Sequence, residues 1–242
     1  MYINRTNSTN TLLKEMLAKG EWQEGERFIR AGYQIAGRGQ TGNGWESEEG
    51  KNLLCSVLLP PCTNLFQQNV LVSVVVHRFL GDNYTIKWPN DIYWHDKKVA
   101  GILIENAIIG KAVKYSIAGI GLNVNQTEWH SDAPNPVSLK QITGIDYDIE
   151  ELMCHLMDEL DEDMQITEDE LWHYYCSHLY RKEGYWPFVE RKVDVTPTMN
   201  AKANAKSFMA RIKDVLPTGE ILLEDQEGKE RKYHFKQIQY VV

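Results

Sequence analysis

Between Tyr84 and Asn106 the chain reads YTIKWPNDIYWHDKKVAGILIEN, a pattern of strand, tight turn and strand. Tyr84 to Trp88 is a short apolar-rich run. Pro89 carries no backbone donor and Asn90-Asp91 are turn formers, so the run stops there. Ile92 to Trp94 resumes an extended segment and His95 to Lys97 reverse it. Val99 to Glu105 then returns as a strand apolar enough to be buried. Such a hairpin brings Lys87, Asn90, Asp91 and Lys98 together. Two cations beside a carboxylate and an amide suit a site that must hold phosphate oxygens and a small carboxylate at once.

The flanking segments supply the frame. NSTN at residues 7–10 precedes TLLKEMLAKG, in which Leu12, Leu13, Met16 and Leu17 share a helix face. Ser8 or Thr9 caps that helix and Gly20 ends it. Glu26 to Ile35 alternates as a strand, leaving Gln34 near its end on the face opposite Ile29, Ala31, Tyr33 and Ile35. The loop Gly37 to Trp45 (GRGQTGNGW) places four glycines in eight residues. Several of its amides can turn toward one anion, and Arg38 strengthens that reading. The loop matches neither GK[ST] nor a GxGxxG that opens a helix. Leu53 to Leu59 reads as a strand ended by Pro60-Pro61, and Asn64 to Leu80 as a buried helix stopped by Gly81. A turn at Gly110-Lys111 leads to a strand from Val113 to Gly121, continuing as GIGLNVN. Its small residues imply close packing against the backbone.

Residues 126–136 form a loop in which Trp129 is either a lid over a ligand or an anchor. Helices are expected over 148–163 and 167–182. Beyond Trp186-Pro187 the composition shifts. Short strands at Lys192 to Val195, Lys206 to Leu216, Glu220 to Glu224, Arg231 to Phe235 and Ile238 to Val242 suggest a small antiparallel barrel. The domain reading is therefore 1–187 and 188–242.

Composition limits the function classes. The net charge of −8 is a poor basis for bulk nucleic-acid binding. Twelve acids and no Lys or Arg lie between Asp146 and Glu170, which reads as a solvated helix face. The four cysteines (Cys55, Cys62, Cys154 and Cys176) form no CxxC pair, and buried free thiols are expected for three of them. No signal peptide or membrane-length apolar run is present, which points to the cytoplasm. The seven histidines lack HExxH or comparable ligand spacing, and no GxSxG nucleophile motif occurs. The residues alone support an α/β domain with an anion-binding glycine-rich loop and a small β domain.

KWPND followed by KKVAGILIE resembles the signature of the biotin–protein ligases. The resemblance extends to the STN helix start, the Gln34 to Trp45 loop, GIGLNVN and the C-terminal strands, and so spans nearly the whole chain. It implies an α+β fold: a mixed β-sheet packed by helices, like the catalytic domain of class II synthetases, with an SH3-like C-terminal barrel. It also implies two reactions. Biotin and MgATP give biotinyl-5′-adenylate, and a lysine of a biotin carboxyl carrier domain then takes the biotinyl group. On this resemblance Lys98, Arg38 and Asp91 are the catalytic candidates, Asp91 for the incoming lysine. Ser8, Thr9, Gln34, Gly37, Arg38, Lys98, Gly101 and Gly119 are candidates for biotin. Arg38, Trp45, Asn90, Lys98 and Asn123 are candidates for the adenylate. Mg²⁺ is expected on the ATP phosphates rather than in a protein cage.

Three departures stand out. Gln40 and Asn43 replace arginines common in the family loop, which implies weaker retention of the adenylate. Asn7 stands where Asp is frequent. Only seven residues precede Ser8, so no winged helix-turn-helix domain and no operator binding are expected. Family dimers form through a sheet edge, for which Lys111 to Ser116 is the candidate. The glycine-rich loop is expected to be disordered without ligand. A lipoate–protein ligase would carry a doubled arginine followed by three glycines, which is absent. A non-catalytic biotin-binding module would not need Arg38, Lys98 and Asp91 together.

Overall fold

The structure is a computed structural model and describes all residues except 41, 63, 111, 192–206 and 242. The first segment, β1 (Tyr2–Thr6), pairs in parallel with β2 (Phe28–Gln34). Between them runs α1 (Thr9–Lys19), with Ser8 at its N-cap and Gly20 in the left-handed conformation at its end. Next come β3 (Leu53–Leu59), α2 (Leu65–Leu80), β4 (Thr85–Lys87), β5 (Asp91–Trp94), β6 (Lys97–Ile109) and β7 (Ala112–Leu122). These strands complete a seven-stranded mixed sheet ordered β1-β2-β3-β7-β6-β5-β4. Apart from β1–β2, every pairing in it is antiparallel.

Both faces of the sheet centre are covered, which explains the near-continuous apolar run LLCSVLL of β3. On one face, α2 packs with α4 (Ile149–Asp163) and α5 (Glu168–Ser177) over Leu53, Cys55, Val57, Ala118, Ile120 and Leu122. On the other, Leu13 and Met16 of α1 close over Ile29 and Ile117. The alternate residues of β7 on that second face are Gly119 and Gly121. Absent side chains there leave the space in which the site is built.

Several expectations need adjustment. Strand β1 and the short helix α3 (Leu139–Thr143) have no counterpart in the sequence reading. Helix α5 ends at Ser177 rather than near 182, because the next residues satisfy the edge of β4 instead. Ile86 N donates to His178 O at 2.8 Å and Tyr180 N to Ile86 O at 2.8 Å. Of the candidate edge at Lys111 to Ser116, Lys111 lies outside the described residues, and the rest belongs to β7, which lies between β3 and β6 and is not an edge strand of the sheet. Its described beginning does outrun β3, whose pairing stops at Leu59↔Ser116. Of the four free thiols, only Cys55 is fully buried; Cys154 is exposed.

The C-terminal strands β8 (Trp186–Glu190), β9 (Ser207–Val215), β10 (Ile221–Asp225), β11 (Glu230–Tyr233) and β12 (Ile238–Tyr240) form a five-stranded antiparallel sheet. Its order is β11-β10-β9-β8-β12, with two ends, so the expected closed barrel is not formed by the described strands. The expected strand at Lys192 to Val195 lies outside the described residues, and β8 pairs with β9. A boundary between 187 and 188 would fall inside β8. This sheet docks through the turn after Leu216. Trp88 Nε1 donates to Gly219 O at 3.1 Å, and Asn64 Nδ2 to Pro217 O at 3.0 Å. Among the described residues no helix is long and apolar enough to cross a membrane.

Candidate functional site

One pocket gathers most of the residues singled out from sequence. Ser8, Thr9, Gln34, Arg38, Trp45, Asn90, Asp91, Lys98, Gly101 and Gly119 all line it. Gly37 and Asn123 do not. Gly37 supports Trp45 from behind, since a Cβ there would lie 2.5 Å from Trp45 O. Asn123 is buried and braces the hairpin, its Nδ2 donating to Lys98 O at 3.3 Å and Val137 O at 3.1 Å. Trp129 is also outside the pocket, with its indole Nε1 3.4 Å from Gln141 Oε1.

The hairpin geometry depends on an irregularity. Asp91 pairs with Gly101 and Tyr93 with Lys98, with a register shift between Ile92 and Tyr93. In a regular strand, residues three apart point to opposite faces. The bulge on β6 takes up the extra residue, so that Lys98 and Gly101 both line the pocket. Lys98 Nζ consequently lies 2.7 Å from Asp91 Oδ1. The Lys87 ammonium turns away, donating to Tyr93 OH at 2.8 Å and lying over the Tyr93 and Tyr240 rings. Burial, partly offset by Asp91 and reinforced by Lys98 and Arg181, pushes its pKa down to about 8.

Trp45 forms the adjoining wall. Its indole lies where side chains at Gly101 and Gly121 would be: a Cβ would approach it to 2.8 Å and 2.5 Å respectively. Lys98 Nζ is 5.5 Å from the Trp45 ring centre, within cation–π range. Gln40 clasps the glycine-rich loop to the hairpin turn, its Nε2 donating to Asn90 Oδ1 at 2.8 Å. Asn90 in turn donates to Ile102 O at 2.8 Å, so its buried side chain fixes the turn as well as lining the pocket. Three buried polar atoms around this region have no partner among the described residues: Gln40 Oε1, Trp45 Nε1 and Asn123 Oδ1. Orphaned groups of this kind suit a polar ligand.

The opposite wall is a hydrogen-bond relay. Asn10 Oδ1 has no proton, so Ser56 Oγ, 2.6 Å away, donates to it. The same Ser56 hydroxyl lies 2.7 Å from Thr9 Oγ1, and Thr9 Oγ1 donates its own proton to Gln34 Oε1 at 3.1 Å. Asn10 Nδ2 donates to Glu105 Oε2 at 2.8 Å, and Arg38 Nη2 meets the same oxygen at 2.7 Å. Thr9 N donates to Gln34 Oε1 at 2.8 Å. The chain of contacts thus runs from the α1 start to the loop arginine. Sequence reading missed Asn10, Ser56 and Glu105 as members of the site. Asn10 and Glu105 stood within quoted motifs, but only the fold brings them together. It also missed Phe235, which reaches the pocket from the C-terminal sheet. Buried Cys55 lines the pocket too, with a thiol pKa pushed up to about 12 by burial, which removes it as a nucleophile.

Known proteins share both sequence and fold with this chain. The model of the biotin/lipoate A/B protein ligase family matches residues 2–123. Over 249 residues the chain is 29% identical to the bifunctional ligase/repressor BirA of Bacillus spizizenii, covering 96% of this chain and 71% of that protein. Over 161 residues it is 32% identical to the biotin–[acetyl-CoA-carboxylase] ligase of Paracoccus denitrificans, covering 62% of this chain and 66% of the relative. The biotin protein ligase from Aquifex aeolicus, solved in complex with biotin and ATP, shares the fold with a TM-score of 0.76 and 24% identity. That likeness covers 100% of this chain and 98% of the other.

Proposed function

The chain belongs to the biotin/lipoate A/B protein ligase family and is a ligase, and on that premise we propose that it activates biotin with ATP and transfers it to a lysine of a biotin carboxyl carrier protein. The observation that carries this reading is the convergence of Arg38 and the Lys98–Asp91 pair on one pocket with a floor of hydroxyl and amide groups. Thr9 Oγ1, having given its proton to Gln34 Oε1, keeps a lone pair for an N–H donor such as those of the biotin ureido ring. Ser8 and Gln34 flank it, and the Gly101 and Gly119 backbones give close approach.

In the first step an oxygen of the biotin carboxylate forms a bond to the α-phosphorus of ATP, and the bond to pyrophosphate breaks. Two anions must meet, and Lys98 offsets their repulsion while Arg38 holds the forming acyl phosphate. In the second step the carrier lysine attacks the acyl carbon and AMP leaves. Asp91 takes the proton of the incoming amine, a reading supported by the Lys98 ammonium beside it, which counters the charge on the departing phosphate. Trp45 and Asn90 border the nucleotide side, with Asn123 acting behind them. Mg²⁺ fits as an ion carried on the phosphates, where it would neutralise charge. Asp91, the carboxylate lining the pocket, is already paired, and no cluster of three His, Cys, Asp or Glu able to hold a metal occurs among the described residues. The reading is of ligation alone, without repression, in keeping with the net charge of −8. The free thiols accord with a cytoplasmic setting.

Pyrophosphate exchange into ATP, measured with biotin, with lipoate and with neither, tests the proposal. Exchange that requires biotin supports it. Exchange with lipoate alone would transfer the chain to the lipoate branch, and no exchange under any condition would sink the enzymatic reading of the pocket.

A further inference from the structure

Two loops approach Lys98, one through Trp45 and one through Asn135, and a single carboxylate joins them. Glu46 follows Trp45 directly, and so sits at the end of the glycine-rich loop. Its Oε1 accepts from His130 N at 2.8 Å and from Gln126 Nε2 at 3.3 Å; its Oε2 accepts from Ser131 N at 2.8 Å. Burial works against this charge, but the bonds from Ser131 and His130 outweigh it and hold the carboxyl below its usual range. Bonds from backbone amides to an ionised carboxylate are among the stronger ones a protein makes.

The far end of the second loop returns to Lys98. Lys98 N donates to Asn135 O at 2.8 Å, and Val137 N to Lys98 O at 3.0 Å. The Trp45 ring meanwhile lies under the Lys98 ammonium. Lys98 is therefore approached by the glycine-rich loop through Trp45 and by the second loop through Asn135, and Glu46 closes the triangle between the two loops. We propose that Glu46 is a positioning residue that joins loops 37–45 and 126–136 into one lid around Lys98, so that neither opens without the other. The tie is distinct from the anchor at Gln126, whose Oε1 accepts from Glu48 N at 2.9 Å and from Asn52 Nδ2 at 2.6 Å. That anchor survives removal of the Glu46 side chain and keeps the base of the second loop in place.

Hydrogen–deuterium exchange on the whole chain without ligand tests the linkage, comparing the native protein with Glu46→Ala and Glu46→Gln. The amides to follow are those of Gly39, Asn43 and Trp45, bonded within the first loop, and those of His130 and Ser131 in the second. Glu46→Ala should speed exchange roughly tenfold or more in both loops, and Glu46→Gln, which keeps a neutral acceptor, by less. Faster exchange confined to His130 and Ser131, or no change, would overturn the joint lid. If Glu46→Ala also loosens the β3–β7 core, Glu46→Gln is judged by the same criterion. The inference rests on the ligase reading only in its consequence for catalysis. There Glu46→Ala should raise KM for ATP more than it lowers kcat. Absence of biotin-dependent exchange of pyrophosphate in the native protein would remove that reading while leaving the deuterium result to stand or fall by itself.

Discussion

Lys98 and Asp91 face each other across the β5–β6 hairpin because a bulge brings Lys98 onto the pocket face, 2.7 Å from its partner. The pair divides the proposed reaction. Lys98→Ala should reduce biotin-dependent pyrophosphate exchange about 10²–10³-fold, the scale of losing one preorganised charge at a reacting oxygen. Asp91→Asn should leave exchange largely intact and slow transfer from preformed adenylate to a carrier lysine. Equal losses in both assays for Asp91→Asn would assign it a binding role instead.

Gln40 lines the pocket, and its Nε2 donates to Asn90 while its Oε1 has no partner among the described residues. Gln40→Arg should slow release of the adenylate by roughly tenfold to a hundredfold, the equivalent of one charge-assisted hydrogen bond. Rapid filtration of enzyme loaded with labelled biotin measures this directly. An unchanged release rate would show that the loop, not the missing charge, controls retention.

Glycine is required on β7 for steric reasons. An alanine Cβ at 121 would lie 2.5 Å from the Trp45 indole, and one at 119 would meet Asn10 Oδ1. Gly121→Ala should weaken biotin binding about tenfold or more by displacing Trp45. Gly119→Ala should do so by driving Asn10 from Ser56 and Glu105. Calorimetric titration with biotin checks both, and native affinity in either variant would contradict the packing described.

Lys87 makes stability depend on pH in an unusual window. Its pKa falls from 10.5 in an unfolded chain to about 8 in the folded protein. Between those values the unfolded chain binds more protons, so this group adds stability as pH rises toward 10.5 and withdraws it as pH falls through 8. Lys87→Met should flatten the rise. Urea unfolding at pH 7 and pH 10 gives the comparison, and parallel curves for the two proteins would show that Lys87 is solvated.

Elements driven by side-chain pattern were legible in the sequence, and those driven by backbone pairing were not. The apolar run of β3 and the bounds of α1 and α2 match closely, with Asn64 capping α2 while the Ser8 side chain makes no capping bond. Strand β1 (YINRT) is polar and forms because β2 offers it a parallel edge. Strand β8 begins at Trp186-Pro187, a pair that reads as punctuation. Within the site, the resemblance extends to most of the residues that line the pocket. It could not reveal the parity shift between Lys98 and Gly101, which only a bulge supplies. Nor could it join Asn10, on a helix, to Ser56 and Glu105 on two separate strands.

The Trp45 indole resting on bare backbone at Gly101 and Gly121 limits how this protein can change over generations. A pocket walled by interlocking side chains can drift by small exchanges, each neighbour compensating for another. Here one partner is a single large ring and the other has nothing left to trim. Any enlargement of a glycine collides at once, and any shrinkage of the tryptophan opens a gap that the strand has no side chain to fill. A new ligand preference would therefore require coordinated substitution on two distant segments of the chain, a path that single mutations rarely complete.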